Sequence, residues 1–175
     1  VQIPVPRLSL SDLAAGGELL LSLFATELAE LGSSVPTKQF VTPGSGEQGI
    51  VWDGEQLNVA LQDLRQGQPG SILGGTMHPA TVVFAAQWAI VLLRAIPILS
   101  GNTTGRASIP TAAKIDQAGQ ENLNDVAAMA QAAANIHALY VTNLPGTGFS
   151  IDEVAPMGPG AGLVGVRCLI TTSLT

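Results

Sequence analysis

The residues able to do chemistry are few and scattered. His78 stands between Met77 and Pro79, His137 falls near the end of a helical stretch, Cys168 sits in an apolar alternation, and Asp53 and Glu55 flank Gly54. A catalytic histidine needs an acid to orient it and a nucleophile to deprotonate. His78 reads instead as a loop residue before a strand, and His137 as a donor suited to the carbonyl end of a helix. Asp53 and Glu55 have the setting of a turn with solvated acids rather than of a working carboxylate pair. Cys168 reads as a small buried side chain. One cysteine and two histidines exclude an internal disulfide framework and a zinc site built on two thiolates, so any metal would rest on carboxylates. No catalytic, cofactor-binding or metal-binding residue is assigned, and no cofactor is expected.

Two glycine patterns have the G-x-G-x-x-G form, at Gly44, Gly46, Gly49 and at Gly160, Gly162, Gly165. That pattern holds a pyrophosphate only where it joins a strand to a helix N-terminus. Both matches run into strand-like sequence, Ile50-Val51-Trp52 and Val166 to Ile170, so neither opens such a site. Asn102-Thr103-Thr104 spells a glycosylation sequon, which has meaning only with secretion. Arg94 is different, because it lies in the most apolar run of the chain. An unpaired guanidinium there would cost several kcal/mol, so Arg94 must reach a carboxylate, backbone carbonyls or an interface. An intrachain ion pair and a subunit contact are equally open, and Arg94 is carried as the candidate interface residue.

The elements that must position these groups follow from periodicity. Ser9 and Asp12 have capping-box spacing, with the Ser9 hydroxyl on an amide and the Asp12 carboxylate reaching back. Leu13, Leu20, Phe24, Leu28 and Leu31 then mark an amphipathic helix ending at Gly32. Gly16-Gly17 inside it predicts irregular first turns, at about 1 kcal/mol per glycine relative to alanine. Ile50 to Leu64 alternates as a half-buried strand, with Asp53-Gly54 a turn signal within it. Thr81 to Leu99 is nearly apolar and about long enough for a membrane helix. Gln87, Arg94, Pro97 and its β-branched and aromatic content favour a strand buried on both faces in mid-sheet.

Ala112, Ile115, Gly119, Val126, Met129, Ala133 and Ile136 trace a long helix with a seam of small residues, its polar face carrying Asp116, Gln120, Glu121, Asn124 and Asp125. Val164, Val166, Cys168, Ile170 and Thr172 alternate in a final strand. Gly/Pro-rich loops are expected at about 33–49, 67–79, 100–110 and 145–162, the first carrying the short run Lys38 to Val41. The order predicts one α+β domain over residues 1–175, a mainly antiparallel sheet with an N-terminal helix and a long central helix packed on it.

Composition narrows the function. The chain has 175 residues, 46% apolar and only 11% charged, against about 25% charged in an average domain. Burial against other subunits is the simplest way to shield such a surface. A formal charge of −6 without a Lys/Arg cluster excludes a clamp on nucleic-acid phosphates. The start, Val1 to Arg7, shows no signal-peptide pattern, so synthesis in the cytosol is expected.

Asp53-Gly54-Glu55-Gln56-Leu57-Asn58-Val59, the strand ending Leu93-Arg94-Ala95-Ile96-Pro97, Gly105 and Pro110 before a long helix, and the approach to Gly165-Val166-Arg167 together resemble a virion protein of long-tailed, siphovirus-type phages of actinobacteria. Those proteins serve the head-to-tail connection and the tail terminator. The likeness spans about Trp52 to Leu174, and departs at Glu55 and Ala95, where members often carry cysteine.

A tail terminator, as the resemblance implies, is a structural protein without enzyme activity. It forms a homo-oligomeric ring, usually a hexamer, that caps the tail tube in the neck of the virion after assembly in the host cytoplasm. Its partners are the major tail tube protein and the head connector or stopper protein, with DNA only as cargo and no membrane. An acidic lumen would repel passing phosphates. Another neck component, a stopper or head-completion protein, is the alternative, followed by a small ligand-binding or hydrolytic domain. The loops at Ser33 to Gly49 and Gly67 to His78 are expected to make contacts between rings.

Overall fold

The computed structural model describes residues 8–42, 54–66, 84–96, 100–101, 107–108, 110–143, 148–160 and 163–174. Its elements in chain order are α1 (Leu13–Glu30), β1 (Gln39–Thr42), β2 (Gln56–Gln66), β3 (Phe84–Ala95), β4 (Ser100–Gly101), β5 (Ala107–Ser108), α2 (Ala112–Asn143), β6 (Phe149–Gly160) and β7 (Leu163–Leu174). Five strands form one sheet in the order β1-β2-β3-β7-β6, and β4 pairs with β5 in a separate two-residue ladder. Only β1 and β2 run parallel; the β2–β3, β3–β7 and β7–β6 pairs are antiparallel. The architecture is the α+β arrangement expected, with a mainly antiparallel sheet.

The central position of β3 explains its composition. Ala86, Trp88, Ile90 and Leu92 point to one face, and Ala89, Val91 and Leu93 to the other, and all seven are buried. Both helices pack on the first face, α1 over β1 and β2 and α2 over β6 and β7, and they touch each other. Leu20, Phe24 and Leu28 of α1 meet Leu57 and Val59 of β2, Met129, Ala133, Ile136 and Tyr140 of α2, and Val166, Cys168 and Ile170 of β7 in one core. Each large side chain so buried is worth roughly 1.5–3 kcal/mol. Within that core the Trp88 indole keeps a partner by donating from Nε1 to Thr172 Oγ1 at 3.0 Å. A smaller apolar cluster, Ala89, Val91, Leu93 and Leu163, lies on the opposite face.

The ends of α1 depart in detail from their signals. Leu10–Asp12 form a 3₁₀ turn of their own, capped by Ser9, whose Oγ accepts from Ser11 N. Asp12, rather than reaching back, is itself the N-cap of α1 and accepts from Ala15 N at 3.0 Å. At the other end Gly32, at φ +78°, completes a Schellman closure: its N–H donates to Ala29 O, and Ser33 N–H donates to Leu28 O. The glycine pair does not disturb the first turns as expected. A Cβ on Gly17 would stand 2.8 Å from Val41 Cγ1, and one on Gly16 would stand 3.1 Å from Leu8 Cδ2. The glycines let α1 lie directly on β1.

A further expectation is corrected. The stretch 145–162 is not a loop, because Phe149–Gly160 pairs with β7 as an edge strand. Pro156 and Pro159 and two register shifts interrupt it, which an edge strand tolerates because one side of its backbone has no ladder to supply. The long helix runs seven residues beyond Ile136, to Asn143. His137 therefore lies before the last turn, with its ring 5.8 Å from that of Phe149. Among the loops, 33–49 carries β1 and 100–110 carries β4 and β5. His78, Asp53, Gly44, Gly46, Gly49, Gly162, the Asn102 sequon and the loop at 67–79 lie outside the described residues.

Candidate functional site

Arg94 lies near the end of β3, opposite Val164 of β7. Its side chain turns toward the helices and meets Asp125, the first buried position of α2, with Nε 2.8 Å from Oδ2 and Nη2 3.0 Å from Oδ1. Ser33, just past the Schellman turn of α1, completes the group. Its hydroxyl donates to Asp125 Oδ1 at 2.9 Å and accepts from Arg94 Nη2 at 3.1 Å. The two charged side chains are 14% and 8% exposed, so the pair is largely desolvated and the two-point geometry offsets much of that cost. Burial alone would lower the Arg94 pKa, but the hydrogen bond and charge of Asp125, with Glu55 and Glu121 adding, shift it upward.

Of the two roles left open for Arg94, the structure supplies the intrachain ion pair. Its partner was not legible as such, since Asp125 reads from the sequence as part of the acidic, solvated face of α2. Asp125 in fact stands four residues before Met129 and eleven before Ile136, on the buried stripe. That spacing was the available signal. Ser33 carried no signal beyond its place after Gly32.

A groove of about 840 Å³ opens over this group, lined by Leu31, Ser33, Glu55, Arg94, Glu121 and Asp125 among others. Asp125 neutralises Arg94, and Glu55 and Glu121 add two further carboxylates to the lining, with the Lys38 ammonium close to Gly54 on the Glu55 side. The C-terminal end of α1 also points its negative pole here. The groove is thus acidic, and suited to a cationic group.

A second polar group lies on the helix-free face of the sheet. Asp152 accepts from Thr171 Oγ1 at 2.6 Å, Gln87 Nε2 at 3.0 Å and Ser150 Oγ at 2.9 Å. Burial pushes its pKa up, but these donors and the charge of Arg65 outweigh that and hold it below the ordinary value. Nearby Arg167 pairs with Glu153, and Arg65 with Asp63.

The other sequence candidates among the described residues are Glu55, Cys168, Gly160, Gly165 and His137. Glu55 is exposed on the rim of the groove, beside Gly54 at φ +81°. Cys168 is fully buried, and its thiol is pushed up to about 12 by desolvation, with the charge of Asp152 adding. Gly160 and Gly165 belong to β6 and β7 and lead into no helix. Among the described residues, no three His, Cys, Asp or Glu side chains group to hold a metal ion, and no helix is long and apolar enough to cross a membrane. Compared with known proteins, the chain matches no family model and no curated protein sequence.

Proposed function

We propose that this chain is a structural subunit of a phage virion, a tail terminator whose copies close into a ring on the end of the tail tube and join it to the head connector. The observation that carries the reading is the shape of α2. Its residues 112–124, about 20 Å at 1.5 Å per residue, include no buried position and contribute nothing to the core. Ile115 there is 56% exposed and Leu123 67%. A domain with 11% charged residues that extends an apolar-bearing helix past its own core is built to be completed by neighbours. The resemblance over Trp52 to Leu174 supplies the kind of assembly, and Arg94 remains its candidate interface residue through the groove it lines.

The test is native mass spectrometry of the purified chain, alone and with tubes polymerised from the tail tube protein, joined to electron microscopy of the tube ends. Six subunits capping a tube end support the reading. A dodecamer moves the assignment to a connector ring in the neck, and a chain that leaves tube ends bare and tube growth unchanged overturns it.

A further inference from the structure

We infer that the projecting first turns of α2 of one copy dock into the acidic groove beside Arg94 of a second copy; the inference rests on the ring reading above and names the contact that would build it. Two features of the same surface are complementary. Lys114, in the first turn of α2, is exposed, and its ammonium has no ion-pair partner among the described residues. The groove lining holds Glu55, Glu121 and Asp125 against the one guanidinium of Arg94, at the negative end of α1. Next to Lys114 stands Ile115, and the groove is walled by Leu31, itself 41% exposed. A second copy therefore presents a cation and an adjacent large apolar side chain to a groove that offers acids and an adjacent large apolar side chain.

The chain's own geometry keeps the match from being made internally. Lys114 and Glu121 are seven residues apart on one helix, about 10 Å along its axis, beyond the reach of a direct ion pair between side chains rising from the same face. The tip is carried away from the groove by the helix that lines it. Docking tip to groove is a heterologous contact, using different patches on the two copies, and such contacts generate closed rings when the rotation between copies closes. It also covers Ile115, which the monomer leaves in water. The first turns of α2 include Gly119, which has nothing within 4 Å of an added Cβ, and hold no buried position, so cover from a neighbour supplies what propensity alone does not.

Charge reversal tests the contact. Association of the full chain is followed by native mass spectrometry and analytical ultracentrifugation, with circular dichroism confirming the fold of each variant. Lys114→Glu is expected to weaken association by about tenfold or more, because acid would then face acid, and Glu121→Lys to do the same with two cations. Mixing the two single variants restores association, since the tip carrying Lys114→Glu then meets a groove carrying Glu121→Lys, and the unchanged Lys114 of the second variant meets the unchanged acids of the first. Lys114→Glu assembling like the wild type, or a mixture no better than either variant alone, overturns the docking contact while leaving the ring reading standing. A wild-type chain that stays monomeric alone and on tube ends overturns both.

Discussion

The carboxylate of Asp125 accepts two hydrogen bonds from the guanidinium of Arg94, at 2.8 and 3.0 Å, and so ties the long helix to the end of the central strand. Because both groups are largely out of water, removing one leaves the other charged and unpaired. Arg94→Met is therefore expected to cost about 3 kcal/mol, at the lower end of what breaking a buried pair removes. Arg94→Met combined with Asp125→Leu replaces the pair with apolar groups of similar bulk and recovers most of that loss. Urea unfolding of the two variants decides the matter: a double variant no more stable than the single one would mean that the ion pair does not fasten α2 to the sheet.

Two glycines give opposite expectations for the same change. Gly119 lies exposed in α2, with nothing within 4 Å of an added Cβ, so Gly119→Ala gains helix propensity of about 0.5–1 kcal/mol. Gly165 sits in β7 with its would-be Cβ only 2.2 Å from Leu92 O, a backbone atom that has no freedom to move aside. Gly165→Ala must push β7 off β3 and is expected to lower the melting temperature sharply or abolish folding. Equal effects of the two substitutions on thermal unfolding would contradict the close approach of these strands.

How far the fold was legible follows from where each signal is stored. The two-sided burial of β3 is written in its own residues, since Ala86 through Leu93 must be apolar on both faces except at Gln87. The helices were legible for the same reason, each carrying its own stripe. The edge strand β6 was not. Asp152, Glu153, Pro156 and Pro159 give it the texture of a loop, and what makes it a strand is the ladder offered by β7, which no local pattern records. Arg94 announced that it needed a partner, because its cost is local, while the partner's identity was not announced. Asp125 is one acid among several on α2, and only the depth at which the helix first meets the core separates it from Glu121.

Asp152 predicts a limb of the pH dependence. Its folded pKa lies below the ordinary aspartate value of about 3.9, because its donors favour the charged form. A depressed carboxylate contributes stability that is present above the unfolded value and lost as pH falls through the folded one. Asp152→Asn should therefore be less stable than the wild type at neutral pH, with the difference shrinking below about pH 3.9. The residue is exposed on the sheet edge, so the difference is small and best read from urea midpoints across pH 2.5 to 7 as a trend. A difference that grows on acidification would have the wrong sign for this network.

Cys168 offers a probe of the core that needs no substitution. Its thiol is buried between β3 and β6 in the middle of β7 and is pushed up to about 12, so at pH 8 the thiolate is on the order of one part in ten thousand. An aromatic disulfide reagent should leave the native chain untouched and label one thiol per chain in denaturant, the sequence holding a single cysteine. Under native conditions labelling then proceeds only through opening of the sheet, and its rate reports how often β7 separates from its neighbours. Arg94→Met, which loosens α2 from that same sheet, should speed it, whereas Gly119→Ala, on the projecting half of the helix, should leave it unchanged. Rapid labelling of the native wild-type chain would place Cys168 outside the core and remove the central layer of the fold described above.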